Sequence, residues 1–166
     1  PSILFVCTAN RFRSPLAALY FAREVVRHGD DQNFRVSSAG VWTKDGQPAT
    51  EDVIGFAKQY DLILNFHKSR LISEEILATT DLCLVMESGQ KEAITQEFPF
   101  VINKIYLLTE AVGRPAYDIP DPYMSKEPHQ QIGREIIHLI DNGYDQIVQL
   151  ASEIVDNQTK DKNSNA

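Results

Sequence analysis

The sequence predicts an α/β fold on a parallel sheet of four strands. Three features carry that expectation. Short apolar runs alternate along the chain with segments of helical spacing. The clearest runs, Ile3-Leu4-Phe5-Val6 and Leu82-Cys83-Leu84-Val85-Met86, are continuously apolar, as in strands buried on both faces. No internal repeat or linker divides the 166 residues, a length that fits one domain with a sizeable core.

Residues 3–6 form the first strand. Ser14-Pro15 reads as a helix start, with Ser14 as N-cap and Pro15 at the first helical position. That helix runs to about Arg27 and stops at His28-Gly29-Asp30. Phe34 to Ala39 is the second strand, ending in Gly40. Thr50 to Gln59 has helical spacing through Val53, Ile54, Phe56 and Ala57, and Ser73-Glu74-Glu75 opens a short helix. Residues 82–86 are the third strand, Lys91 to Glu97 a helix, and Ile102 to Leu107 the fourth strand. Residues 111–126 read as loop, with Gly113, Pro115, Pro120 and Pro122. From Glu127 onward Ile132, Ile136, Ile140, Ile147, Ala151 and Ile154 keep helical spacing, and Asn142-Gly143 is expected to split that helix in two. One domain is assigned to residues 1–156, and the polar residues 157–166 are expected to form a frayed tail.

Bulk composition narrows the function. A net charge of −7 and a pI near 5.0 argue against a broad nucleic-acid surface. Two cysteines, Cys7 and Cys83, are too few for a disulfide framework, and no close Cys/His cluster has zinc spacing. A reduced, cytoplasmic setting is therefore expected. The N-terminus shows no signal-peptide pattern, and no apolar run approaches the roughly 20 residues of a membrane span, so no membrane partner is expected.

Against that acidic background, Cys7-Thr8-Ala9-Asn10-Arg11-Phe12-Arg13-Ser14 holds two arginines and no acid. In parallel sheets, ligands sit beyond the carboxyl ends of strands, where this loop falls if residues 3–6 are central. A strand-to-helix loop gathers backbone N–H groups into an anion nest, and the helix N-terminus adds partial positive charge. Arg13 supplies a planar fork for phosphate oxygens. The same electropositive hollow favours a thiolate on Cys7. One loop would thus make a nucleophile and hold the group it attacks. The spacing alone is weak, since a Cys with Arg six positions on arises by chance in roughly one such sequence in ten. The apolar strand before it and the Ser-Pro step after it strengthen it.

This loop resembles the C-x5-R-S loop of low-molecular-weight protein tyrosine phosphatases, and its position near the N-terminus is typical of them. The resemblance continues at Val36-Ser37-Ser38-Ala39-Gly40, His67-Lys68-Ser69-Arg70 and Asp121-Pro122-Tyr123, in the family's order, over roughly residues 2–155. It implies a doubly wound sheet of order 2-1-3-4 with helices on both faces. It implies metal-independent hydrolysis of phosphotyrosine in proteins, with no cofactor and a phosphorylated protein or peptide as partner. Cys7 would form a phosphocysteine. Arg13 and the amides of Thr8, Ala9, Asn10, Arg11, Phe12 and Ser14 would bind phosphate. Asp121 would protonate the leaving group and then activate water. Ser14 would donate a hydrogen bond to the sulfur, Asn10, Ser38 and His67 would hold the loop in shape, and Trp42 and Tyr123 would wall the pocket. A monomer or weak self-association is expected.

The chain also departs from the family pattern. Phe12 stands where many members carry a second cysteine, so disulfide protection of Cys7 is not expected. Arg11 stands where a small or apolar residue is common, and could meet an anionic substrate flank or face water. Met124 replaces a second tyrosine. Glu87 is the candidate acidic partner of Arg13, and Asp118 is the rival of Asp121. Trp42 has a core reading beside the pocket reading, and His28, His129 and His138 read as helix-end or surface residues. The competing functions are a phosphoarginine phosphatase, an arsenate reductase on the same fold, and a phosphate-binding module without turnover. An arsenate reductase needs resolving thiols, for which Cys83 is poorly placed in a core strand.

Overall fold

The structure, a computed structural model, describes residues 1–164. Its elements run β1 (Ser2–Cys7), α1 (Arg13–Arg27), β2 (Arg35–Gly40), α2 (Glu51–Lys58), α3 (Glu74–Ala78), β3 (Leu82–Val85), α4 (Ser88–Glu97), β4 (Ile105–Leu107), α5 (Leu108–Ala111) and α6 (His129–Ser164). A single 3-10 turn, Pro99–Val101, precedes β4. The four strands are parallel in the order β2-β1-β3-β4, with Ile3 beside Val36 and Leu82, and Cys83 beside Ile105. The fold is thus the doubly wound α/β sheet of order 2-1-3-4.

Strand periodicity sorts the core into two layers. On one face Ile3, Phe5, Leu82 and Leu84 pack with Leu16 and Phe21 of α1 and Ile136, Ile140 and Ile147 of α6. On the other, Leu4, Val6, Cys83 and Val85 pack with Leu77 of α3 and Ile94 of α4. Burial on both faces is why these strands read as unbroken apolar runs. β1 and β3 are central, so the loop after β1 opens where the chain winds to opposite sides of the sheet.

Four boundaries differ from expectation, each for a local reason. Ser14 is not the cap of α1: the N-cap position is Phe12, without a side-chain cap bond, and Ser14 lies inside the first turn, its hydroxyl engaged with the cysteine. The fourth strand shortens to 105–107 because Pro99 starts a tight turn ahead of it. α6 is continuous through Asn142-Gly143. A Cβ at Gly143 would fall 2.2 Å from Val112 Cγ1, so this glycine serves close packing and not a break. The helix also continues through 157–164, residues read from sequence as tail. Thr50 and Ser73 do cap their helices, accepting from Val53 and Ile76 amides. Among the described residues, no helix is long and apolar enough to cross a membrane.

Candidate active site

Cys7 is the last residue of β1, and the loop 8–12 turns back over it before α1 begins. Asn10 makes that turn. Its φ of 56° lies in the left-handed region, which Asn tolerates better than most residues. The buried Asn10 side chain then ties the loop down from inside. Its Nδ2 donates to Ser14 Oγ at 2.8 Å and to Ser38 Oγ at 2.9 Å, and its Oδ1 accepts from the Arg70 amide at 3.0 Å. His67 Nε2 donates to the Asn10 carbonyl at 2.7 Å. Burial lowers the His67 pKa against the opposing effect of that bond. A neutral ring with its proton on Nε2 satisfies the carbonyl acceptor.

Two donors reach the sulfur. The Asn10 amide lies 3.3 Å and Ser14 Oγ 3.1 Å from Cys7 Sγ. Ser14 Oγ already accepts from Asn10, so its single hydroxyl proton is free for the sulfur, the nearer choice over Ala39 O at 3.4 Å. Gly40 lets β2 end against this loop: a Cβ there would sit 2.7 Å from the Thr8 carbonyl oxygen.

Arg13 is only 2% exposed, and a buried guanidinium needs partners. Nη1 donates to the Ile119 carbonyl at 2.8 Å and lies 3.2 Å from Glu87 Oε2, while Nη2 lies 3.5 Å from Asp121 Oδ2. Glu87 is thus the acidic partner the sequence suggested. Gln90 fixes this carboxylate: its Nε2 donates to Glu87 Oε2 at 3.0 Å and to Thr8 Oγ1 at 3.1 Å. Gln90 and its role were not read from the sequence, although its place one turn into α4 beside Glu87 is a capping-box signal.

The cavity over the sulfur measures about 230 Å³ and is lined by Cys7, Ala9, Arg11, Phe12, Arg13, Thr50, Asp121, Pro122 and Tyr123. Asp121 reaches it and Asp118 does not. Asp118 caps the start of α4, accepting from the Ser88 amide at 2.8 Å and its hydroxyl at 3.1 Å. Asp121 Oδ1 accepts from the Tyr123 amide at 2.9 Å, an Asx turn that aims the carboxylate. Tyr123 forms a wall, and its hydroxyl donates to Asp52 at 3.0 Å. Burial and that carboxylate raise its pKa, keeping it a neutral donor. Arg11 lines the mouth with Nε bound to the Pro48 carbonyl at 2.8 Å.

Trp42 departs from its expected place. Its backbone amide bonds the Thr8 carbonyl at 3.0 Å, but the indole is 83% exposed and is not among the residues lining the cavity. It belongs to neither pocket wall nor core. Phe12 fills the wall instead, its ring edge-on to Tyr123. Thr50, also on the wall, was legible in sequence only as the start of a helical segment.

An anion seated here would meet loop amides, the Arg13 fork and the start of α1, with the Asp121 carboxylate lining the same cavity, 3.5 Å from Arg13 Nη2. That arrangement suits attack by sulfur on a phosphoryl group, with proton delivery from a carboxylate in the same cavity.

The model of the "Low molecular weight phosphotyrosine protein phosphatase" family matches residues 2–160. The Bacillus subtilis (strain 168) protein named "Protein-arginine-phosphatase" is 34% identical over 121 residues, 73% of this chain and 79% of its own. "Low molecular weight protein-tyrosine-phosphatase Etp" of Escherichia coli (strain K12) is 30% identical over 126 residues, 76% and 80% of the two chains. Among solved structures, the low molecular weight protein tyrosine phosphatase from T. tengcongensis has a TM-score of 0.77 at 33% identity, covering 85% of this chain and 95% of that one. A YwlE mutant from Bacillus subtilis also gives 0.77, at 31% identity over 92% and 97%. With the sheet order and the loop geometry, these matches make the chain a member of the low molecular weight phosphotyrosine protein phosphatase family.

Proposed function

We propose that the chain hydrolyses phosphotyrosine in proteins without a metal, through a phosphocysteine. The observation that carries this reading is Cys7 Sγ in one cavity with Arg13 and Asp121, which lie 3.5 Å apart, and with the rings of Phe12 and Tyr123 as walls. Cys7 attacks phosphorus as the ester oxygen leaves, forming a P–S bond as the P–O bond breaks. Arg13 and the loop amides carry the equatorial oxygens in the loose transition state. Asp121 gives its proton to the departing phenolate, then takes one from the water that cleaves the P–S bond. Glu87 and the Ile119 carbonyl hold Arg13 flat, and Asn10, Ser38 and His67 support the loop. Apolar aromatic walls suit a phenyl ester.

A second reading has its own support: relatives 34% and 33% identical are named protein-arginine-phosphatases. Arg11 at the mouth would set the two substrates apart by repelling a guanidinium-bearing side chain. An arsenate reductase is disfavoured. Cys83 lies fully buried in β3, where burial pushes its thiol up to about 12, far from a resolving role. We also place the enzyme in the cytoplasm, as two free thiols suggest, acting as a monomer or weak self-associate.

The test is hydrolysis of p-nitrophenyl phosphate with EDTA present. Turnover is expected, with inhibition by orthovanadate, and Cys7→Ser should lose about 10⁴-fold or more. Activity that EDTA abolishes and Cys7→Ser retains would overturn the mechanism. Phosphotyrosine and phosphoarginine peptides compared side by side decide the substrate; faster turnover of phosphoarginine would transfer the assignment to the second reading.

A further inference from the structure

His129, the first residue of α6, joins two elements of the site. Its Nδ1 lies 2.9 Å from Asp52 Oδ2 in the first turn of α2, and its Nε2 lies 3.0 Å from the carbonyl oxygen of Pro122. Both partners carry acceptor oxygens, so the ring sits between them within hydrogen-bond distance of each. Asp52 accepts the Tyr123 hydroxyl on the same oxygen. The Tyr123 ring stands edge-on to the imidazole at 4.7 Å, and Phe12 of the cysteine loop meets it at 5.8 Å.

We infer that Asp52 and His129 form a clamp that holds the acid segment over Cys7, making His129 a positioning residue for proton delivery by Asp121. The inference rests on the proposed role of Asp121. The clamp grips the Pro122 carbonyl and the Tyr123 hydroxyl and ring, the two residues after Asp121, and touches neither Cys7 nor Arg13. Its loss should therefore impair protonation of the leaving group and spare phosphate binding. A displacement of about 1 Å at a reacting group costs on the order of 10²-fold in rate.

The experiment measures kcat/KM of the full chain on phenyl phosphate, whose leaving group needs a proton, and on 2,4-dinitrophenyl phosphate, whose leaving group does not. Variants are His129→Phe, Asp52→Ala, Asp121→Asn and the double variant His129→Phe/Asp121→Asn. His129→Phe should lose roughly 10- to 100-fold on phenyl phosphate and less than about threefold on the dinitrophenyl ester. Orthovanadate inhibition should stay within about twofold, and in the Asp121→Asn background His129→Phe should add less than about threefold, because both act through one proton. Asp52→Ala, a change at an exposed side chain, should repeat the ester selectivity at smaller size and serves if His129→Phe does not fold. If Asp121→Asn discriminates between the esters while His129→Phe and Asp52→Ala slow both equally, the clamp is overturned alone. Independent, multiplying losses in the double variant overturn it too. If Asp121→Asn itself shows no discrimination, the acid assignment falls and takes the clamp with it.

Discussion

Across the cavity, two segments are held in opposite ways. In the cysteine loop, residues 8–12, Asn10 is buried and every polar group it has is bonded within the fold, to Cys7, Ser14, Ser38, His67 and Arg70. In the acid segment, residues 112–128, most side chains are exposed, and Asp121 is aimed by its own turn and by contacts with Arg13 and the Tyr123–Asp52–His129 group. The difference tracks the work proposed for each part. A cradle for a dianion gains from fixed dipoles that need no reorganisation when charge develops. A segment that delivers a proton must also let a bulky protein substrate in, and a few side-chain tethers allow that.

Substitutions on either side should expose the contrast. The largest effect is expected from Arg13→Lys. The ammonium keeps the charge but not the fork, and cannot serve Ile119, Glu87 and phosphate together. A loss of about 10²–10³-fold in kcat/KM for an aryl phosphate is expected. Retention of half the activity would show that charge alone suffices, and that the cradle is less exacting than argued.

Asn10→Ala comes next. It removes support from Ser14, Ser38 and the Arg70 amide and leaves an alanine at positive φ. Urea unfolding should show a loss of about 1–3 kcal/mol, with kcat/KM down about tenfold. A stable variant with unchanged kinetics would put the loop's rigidity elsewhere.

The smallest effect concerns pH. Burial holds His67 below its usual 6.5 in the folded chain, so the unfolded chain binds a proton that the fold does not. The stability owed to neutral His67 is therefore complete above about pH 6.5 and is lost as pH falls through the folded value. His67→Gln keeps a donor for the Asn10 carbonyl without a titrating ring. Its urea midpoint should fall less between pH 7 and pH 5 than that of the parent chain, and parallel curves would refute the assignment.

The legible parts of the molecule are those whose cause is local or periodic. The central strands β1 and β3 showed because both faces are buried, and the cysteine loop showed because its residues are contiguous. Asp121 and Glu87 could be nominated because each sits in a recognisable short pattern. What escaped depends on distant contacts. Ser14 was expected both to cap α1 and to bond the sulfur, and its place inside the first turn leaves only the second role. Asn142-Gly143 looks like a break until Val112 is seen against it. His129 looks like a helix-end residue because Asp52, 77 positions away, gives no sign in sequence of being its partner. Trp42 erred the other way: an aromatic near the loop suggested a wall, yet its indole faces solvent.

The bare spot at Gly143 reaches further than one contact. Val112 enters it at the point where the chain leaves α5 toward Asp121, and His129 grips the same stretch at Pro122 from the start of the same rod, about 21 Å along its axis. A notch that admits a valine side chain sets both the height and the rotation at which the rod seats. Departure and landing of the stretch that carries Asp121 are thereby gauged against one helix, so a misfit at position 143 would be felt at Pro122 without any residue near it having changed.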